Sequence, residues 1–309
     1  MTDSKIPTEK AVQDYANECL PDVQCSIPDI KIPIMQVGVE NVEVPFKLES
    51  KYGGFHQMIA NVSLRTNLDK DTKGISMSRL LLTLKPYLDL PLKHKLIKQI
   101  LEDVRINVES DAAFMKFEFR MPIVRKSIKS DNEFPIYYKC KFEGQLFKAP
   151  VFVEQGVTTV TDHFRFYQGV TIQYASYCPC SAELCGHLEE NMTRGYPHNQ
   201  RSYADITVEV VEPHYVWLED VIDAVEEQLV TLPYPIIKRP DEQAIAQVAA
   251  ENPMFVEDAI RKISQCLNNR EDVYDWIVKC SHEESIHTSE AIAINWKGTP
   301  GGFDGRRYL

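Results

Sequence analysis

The stretch "FRFYQGVTIQYASYCPCSAELCGHLEENMTRGYPHNQRSYADITVEV", from Phe164 to Val210, decides how this chain is read. Both of its ends alternate apolar and polar residues and are rich in Val, Ile, Thr and Tyr, the pattern of half-buried strands. Between those strands lie Cys178, Cys180, Cys185, His187 and His198, together with Pro179, Pro197 and a Gly-Tyr-Pro turn. Such an insert is a disulfide knot, a structural zinc staple or the metal-binding wall of an active site.

Composition narrows the choice. The chain has 309 residues, 44% hydrophobic and 26% charged, which suits one large globular domain or two ordinary ones. No stretch reaches the roughly 18 to 20 apolar residues of a membrane helix, and the polar N-terminus lacks a signal-peptide core. A cytoplasmic protein with no membrane partner is expected. In that compartment the eight cysteines stay reduced, so clustered Cys and His point to metal or catalysis rather than disulfides. Cys140, Cys266 and Cys280 sit in apolar patterns and read as core residues. A net charge of −11 argues against nucleic-acid binding; a nucleotide triphosphate would need a local cluster of Lys and Arg.

Outward from the opening stretch, one pattern runs through the chain twice. Residues 1–35 hold four prolines and read as a peripheral arm. In residues 36–162, "VEVPFKL" and "QMIANVSLRTN" alternate as strands, and "SRLLLTLKPYL" and "HKLIKQILEDVRINVE" have helical spacing. Leu96, Ile97, Ile100, Leu101 and Val104 share one stripe there. "AAFMKFEFRMPIV" and "PIYYKCKFEGQLF" return to strand alternation. Residues 163–297 repeat the order: the two strands already quoted, the helix "VWLEDVIDAVEEQL", a helical region from Pro240 broken at Pro253, then the strands "VYDWIVKCS" and "IHTSEAIAINW". The expectation is an α+β fold of two tandem ββααββ units, each an antiparallel sheet with two helices on one face. The tail 298–309 is Gly-rich and expected to be loose.

C-x-C is tighter than the C-x2-C of zinc ribbons, so one of Cys178 and Cys180 is expected to bind metal and the other to act nearby. Residue pattern alone leaves His187 and His198 equal as the histidine ligand. The segment "AELCGHLEENMTRG" reads as a polar, irregular insertion. Asp241 and Glu242 open a helix, where acids are ordinary partners of the dipole. Glu257 stands four residues before Arg261, which suits a surface ion pair. His282, Glu283, Glu284 and His287 crowd a strand start. A Cys/His/Glu site with an open position suits a hydrolytic metal, which brings the pKa of a bound water towards neutrality.

The segments "SYCPCS", "PHNQRS", "RPDEQA", "FVEDAIRKI" and "ESIHTSEA" resemble, in order and spacing, the signature of the GTP cyclohydrolase IB family, with "GISMSRLL" as a sixth segment. The resemblance spans roughly residues 35–297. It implies a tunnelling fold (T-fold) assembled into a homotetramer with sites near subunit interfaces. It also implies conversion of GTP and water to 7,8-dihydroneopterin triphosphate and formate, at the head of folate-type pterin synthesis. The implied cofactor is a divalent ion: manganese, zinc or iron.

Carried over motif by motif, Cys178, His198 and Glu242 match the metal ligands. Glu257 matches the carboxylate that takes the guanine N1–H and N2–H edge. His287 and Glu284 match the proton-transfer segment, and Cys180 is close enough to shape the site. This makes 182–196 an insertion that the family usually lacks. A further departure is Ser76, where a His is usual. Arg79, Lys73 and Arg65 remain as cations for the triphosphate, or as plain solvated charges. Three rival readings are an archaeal-type cyclohydrolase yielding a cyclic phosphate, a T-fold nitrile reductase, and a non-enzymatic zinc protein.

Overall fold

The structure, a computed structural model, describes residues 23–152, 158–187 and 197–308. Eight antiparallel strands form one sheet in sequence order: β1 (Ile34–Glu49), β2 (Phe55–Leu68), β3 (Ala112–Lys126), β4 (Glu133–Phe152), β5 (Thr158–Tyr177), β6 (Asn199–Val210), β7 (Asp275–Glu283) and β8 (Glu290–Trp296). Helices α1 (Met77–Leu84) and α2 (His94–Val108) join β2 to β3. Helix α3 (Pro179–His187) follows β5. Three more, α4 (Leu218–Leu229), α5 (Arg239–Glu251) and α6 (Val256–Asn268), join β6 to β7. The fold is α+β, as the alternation and helical stripes predict. No helix among the described residues is long and apolar enough to cross a membrane.

Period-2 alternation gives the sheet one apolar face, and the helices cover it. Val62, Leu64, Phe117, Met121, Ile172, Val208 and Trp276 are buried there. Against them α2 sets Ile97, Ile100, Leu101 and Val104, four of the five residues in the predicted stripe. A Cβ on Gly144 of β4 would meet Ile97 Cγ2 at 2.3 Å, so glycine there lets α2 lie close on the sheet. In the second half, α4 buries Leu218, Val221, Ile222, Val225 and Leu229. Cys140 and Cys280 are buried as expected, and burial pushes the Cys280 thiol up to about 12; Cys266 is only half-buried.

Several expectations need correction. The second half carries three helices between its strand pairs rather than two, because the break at Pro253 separates α5 from α6 completely. The expected boundary at 162/163 falls inside β5. The segment after Cys180 is helical through His187 rather than irregular, its first turn built on Ala182 N–H donating to Cys178 O at 3.0 Å; residues 188–196 lie outside the described residues. Ile286–Ser289, read as strand, forms the β7–β8 turn, so His282 and Glu283 end a strand instead of starting one. The tail is not loose over 298–303. Buried Asp275 accepts from Gly298 N–H, Thr299 Oγ1 and Phe303 N–H, and Phe303 packs on Tyr167 and Ile277 across the helix-free face. Most of the proline-rich arm lies outside the described residues. Its end is tied down: Lys73 N–H donates to Ser26 O, and Gly74 N–H to Gln24 O.

Candidate active site

The antiparallel order fixes two ends of the sheet. β5 delivers Cys178 at one end, β6 begins there directly after His198, and β7 finishes there with His282. Cys178 N–H donates to His198 O at 3.2 Å, so the two residues are joined through backbone where the β5–β6 ladder starts. The Cys178 sulfur accepts from Ser181 N–H at 3.5 Å, in the first turn of α3. α6 is brought over the same end when Met254 N–H donates to Tyr177 O at 2.9 Å.

These elements enclose a cavity of about 680 Å³. Cys178, Cys180, His198, Glu257, Glu284 and His287 all line it. Gln200, His282 and Glu290, which sequence reading gave no role, line it too. Glu257, on the first turn of α6, makes no pair with Arg261; that arginine bonds Asp258 at 3.3 Å. Glu257 is thereby left facing the cavity. His198 Nδ1 is buried without a hydrogen-bond partner and lies 3.9 Å from Glu284 Oε2, beyond bonding distance. Among the described residues, no Lys or Arg lines it.

Beneath the cavity runs a chain of hydroxyls. Ser202 Oγ meets Ser176 Oγ at 2.7 Å, Ser176 meets His282 Nδ1 at 3.1 Å, and His282 Nε2 meets Tyr174 O–H at 2.9 Å. His282 is 1% exposed, and burial lowers its pKa to about 4 although the Glu257 charge opposes that shift. It is a neutral imidazole held from both sides.

Three expected site residues lie elsewhere. Glu242 is exposed on the first turn of α5, outside the cavity lining. Its neighbour Asp241 is fully buried and bonds Lys129 N–H, Ser130 N–H, Ser130 Oγ and Lys238 N–H. Burial raises the Asp241 carboxyl, but these bonds outweigh it and hold the group well below its ordinary range. Lys73 and Arg79 follow the far end of β2, which is antiparallel to β5, and so stand at the opposite end of the sheet. Arg79 Nη1 donates to Asn107 O at 3.4 Å; Arg65 is engaged by Gln36 and Glu40. Ser76 is the N-cap residue of α1 but makes no side-chain cap bond.

A metal fits this site in part. An unpartnered, buried imidazole nitrogen beside a cysteine is a soft-to-borderline donor pair suited to a divalent transition ion. No group of three His, Cys, Asp or Glu among the described residues is gathered closely enough to hold an ion. A second concavity of about 480 Å³ lies on the helix-free face, where Lys141 pairs Glu143 and Thr171 donates to Asp205. It holds no histidine, and burial raises the thiol of its one cysteine, Cys140.

An eight-stranded antiparallel sheet with helices on one face defines a T-fold-like protein, here with a Cys/His/carboxylate cavity at one end of the sheet. The uricase from Arthrobacter globiformis has a similar fold, with a TM-score of 0.50 at 6% identity over 87% of this chain and 95% of that one. Residues 20–293 match the family model described as type I GTP cyclohydrolase FolE2. The GTP cyclohydrolase FolE2 of Cereibacter sphaeroides is 32% identical over 297 residues, covering 94% of this chain and 79% of that protein. That of Paracoccus denitrificans is 30% identical over 301 residues, 95% and 89% of the two chains. The chain belongs to the type I GTP cyclohydrolase FolE2 family.

Proposed function

We infer that the chain is a GTP cyclohydrolase I, opening the imidazole ring of GTP with water and releasing formate and 7,8-dihydroneopterin triphosphate. One observation carries the assignment to this site: Cys178, His198, Glu257, Glu284 and His287, spread over 110 residues of sequence, line one cavity.

Glu257 offers two carboxylate oxygens to the paired N1–H and N2–H donors of guanine and so orients the base. Cys178 and His198 would hold a divalent ion (manganese, zinc or iron), with Glu242 the third ligand that the family resemblance implies. An ion held there would supply a polarised water for the hydrolysis. Glu242 lies outside the lining of its own chain, whereas Glu284 stands 3.9 Å from His198 Nδ1 and is the carboxylate closer to hand. His287 and Glu284, in the β7–β8 turn, move protons to the nitrogens of the opening ring. Cys180, exposed on α3, shapes the mouth.

Among the described residues the lining carries no cation for a triphosphate, while Lys73 and Arg79 stand at the far end of the sheet. A second copy can supply them. This supports a homotetramer of tandem T-fold units with each site shared between subunits.

The test is metal-stripped protein given GTP with manganese, zinc or iron(II), followed by assay of formate and pterin by chromatography and mass spectrometry. Formate with neopterin triphosphate is expected. A cyclic phosphate would move the reading to the archaeal type, and no turnover with any ion would reject it.

A further inference from the structure

Gln200 carries a polar atom that nothing described in the chain answers. It lies on β6 two residues after His198, and both line the cavity. It is 7% exposed. The β6–β7 register pairs Arg201 with Glu283 and Ser202 with His282, which sets Gln200 across from Glu284. Its Nε2–H donates to Glu284 Oε1 at 3.4 Å. With its NH2 donating to Glu284, the amide turns its carbonyl away. That carbonyl oxygen, Oε1, is buried and unpaired among the described residues. Burying an acceptor without a partner is costly, and it persists where a ligand supplies the donor.

The place of Gln200 says which donor. On one side of it along β6 stands His198, with Cys178 attached through backbone; on the other stands Ser202, with His282 opposite and the Glu257 charge above. The inference rests on the GTP cyclohydrolase reading, in which guanine spans from Glu257 to the Cys178–His198 end. A base in that position lies over Gln200. With N1–H and one N2–H on Glu257, the atoms O6, N7 and N3 along the flanks of the base are all acceptors.

Water addition changes one of them. Hydroxyl adds to C8 and a proton to N7, converting N7 from an acceptor to an N–H donor. The C8–N9 bond then breaks, the hydroxyl proton ends on N9, and C8 becomes a formyl group on N7. One water accounts for the oxygen and both hydrogens. We propose that Gln200 Oε1 accepts the hydrogen bond from the N7–H that this addition creates. The contact is unmade in bound GTP and made in the adduct, so it accelerates the reaction without tightening substrate binding.

The probe is 8-oxo-GTP, which carries N7–H and a C8 carbonyl. Wild type and Gln200→Met, a near-isosteric variant without the acceptor, are compared by GTP kinetics and by calorimetric binding of 8-oxo-GTP. For Gln200→Met, kcat on GTP should fall about 10- to 100-fold, with KM changed by less than about twofold. The affinity for 8-oxo-GTP should weaken by a similar factor. The ratio of 8-oxo-GTP affinity to GTP KM within one variant is insensitive to the folded fraction, so partial misfolding leaves the test intact. Equal weakening towards both nucleotides, or towards neither, would overturn the proposal. So would loss of discrimination between GTP and ITP, which would move the contact to the exocyclic amine. Wild type releasing no formate from GTP would sink the cyclohydrolase reading itself; wild-type turnover with an unaffected Gln200→Met would sink only the role of Gln200.

Discussion

The two halves of the chain place equivalent strands at the same end of one sheet and use them differently. In the first half, the helix-facing positions there are Phe46 and Leu48 on β1, Met58 on β2, Met121 and Ile123 on β3, and Tyr138 on β4, all buried in the main apolar core. In the second half the corresponding face carries Ser176, Gln200, Ser202 and His282, and a cavity stands over them. The first half fills its end with side chains; the second half fills its end with hydrogen bonds and leaves room. The same packing scheme therefore supports a site where polar side chains replace the last layer of core, provided each has a partner. Three second-half residues meet that condition through the Ser202–Ser176–His282–Tyr174 chain; among the described residues lining the cavity, unpaired buried polar atoms remain on His198 and Gln200, where a ligand would sit.

The contrast breaks most sharply at Cys178. Cys178→Ala should abolish formate release from GTP while leaving circular dichroism and Tm close to wild type. Retained activity would remove the second-half cavity from the chemistry.

The next effect belongs to the first half. Phe117→Ala, in a side chain 1% exposed, should lower unfolding stability by about 3–5 kcal/mol in urea melts. A variant that lost activity without losing stability would contradict the structural role of that half.

A smaller effect should come from acid. The folded-state pKa of His282 is lowered to about 4, from an ordinary value of 6.5, so the unfolded chain binds the extra proton first. The stability this neutral imidazole contributes is present above 6.5 and is lost as pH falls from there to about 4. The expected loss is on the order of 3 kcal/mol. His282→Gln should flatten that part of the pH–stability curve; an unchanged slope would mean that other groups set it.

The smallest expected effect concerns the far end of the sheet. Arg79→Ala should raise KM for GTP about tenfold with little change in kcat. Oligomers mixed from Arg79→Ala and Cys178→Ala chains should recover part of the wild-type kcat/KM, since some sites then combine two intact contributions. Activity no greater than the sum of the separate variants would place the phosphate contacts elsewhere.

Much of this was legible in sequence for a local reason. Strand alternation and helical stripes are short-range signals, and they located most elements, including the break at Pro253. The motif segments named the cavity residues Cys178, His198, Glu257, Glu284 and His287. What sequence could not show depends on long-range register. Gln200 sits inside a quoted motif, yet its free carbonyl follows only from facing Glu284 across the β6–β7 ladder. The anchored tail depends on Asp275, some twenty residues upstream, collecting three of its donors. The distance of Lys73 and Arg79 from the cavity is set by strand direction, which no motif records. Glu257 had an ordinary surface partner in sequence, and only the Arg261–Asp258 contact showed that the partner was taken.

The most direct measurement is a crystal structure of the metal-loaded protein with 8-oxo-GTP bound. The base should lie in the second-half cavity, its N1/N2 edge on Glu257 and its C8 end at Cys178 and His198, with the triphosphate leaving towards cations from beyond that lining. Nucleotide bound on the helix-free face, or a base turned with C8 away from Cys178, would contradict the account.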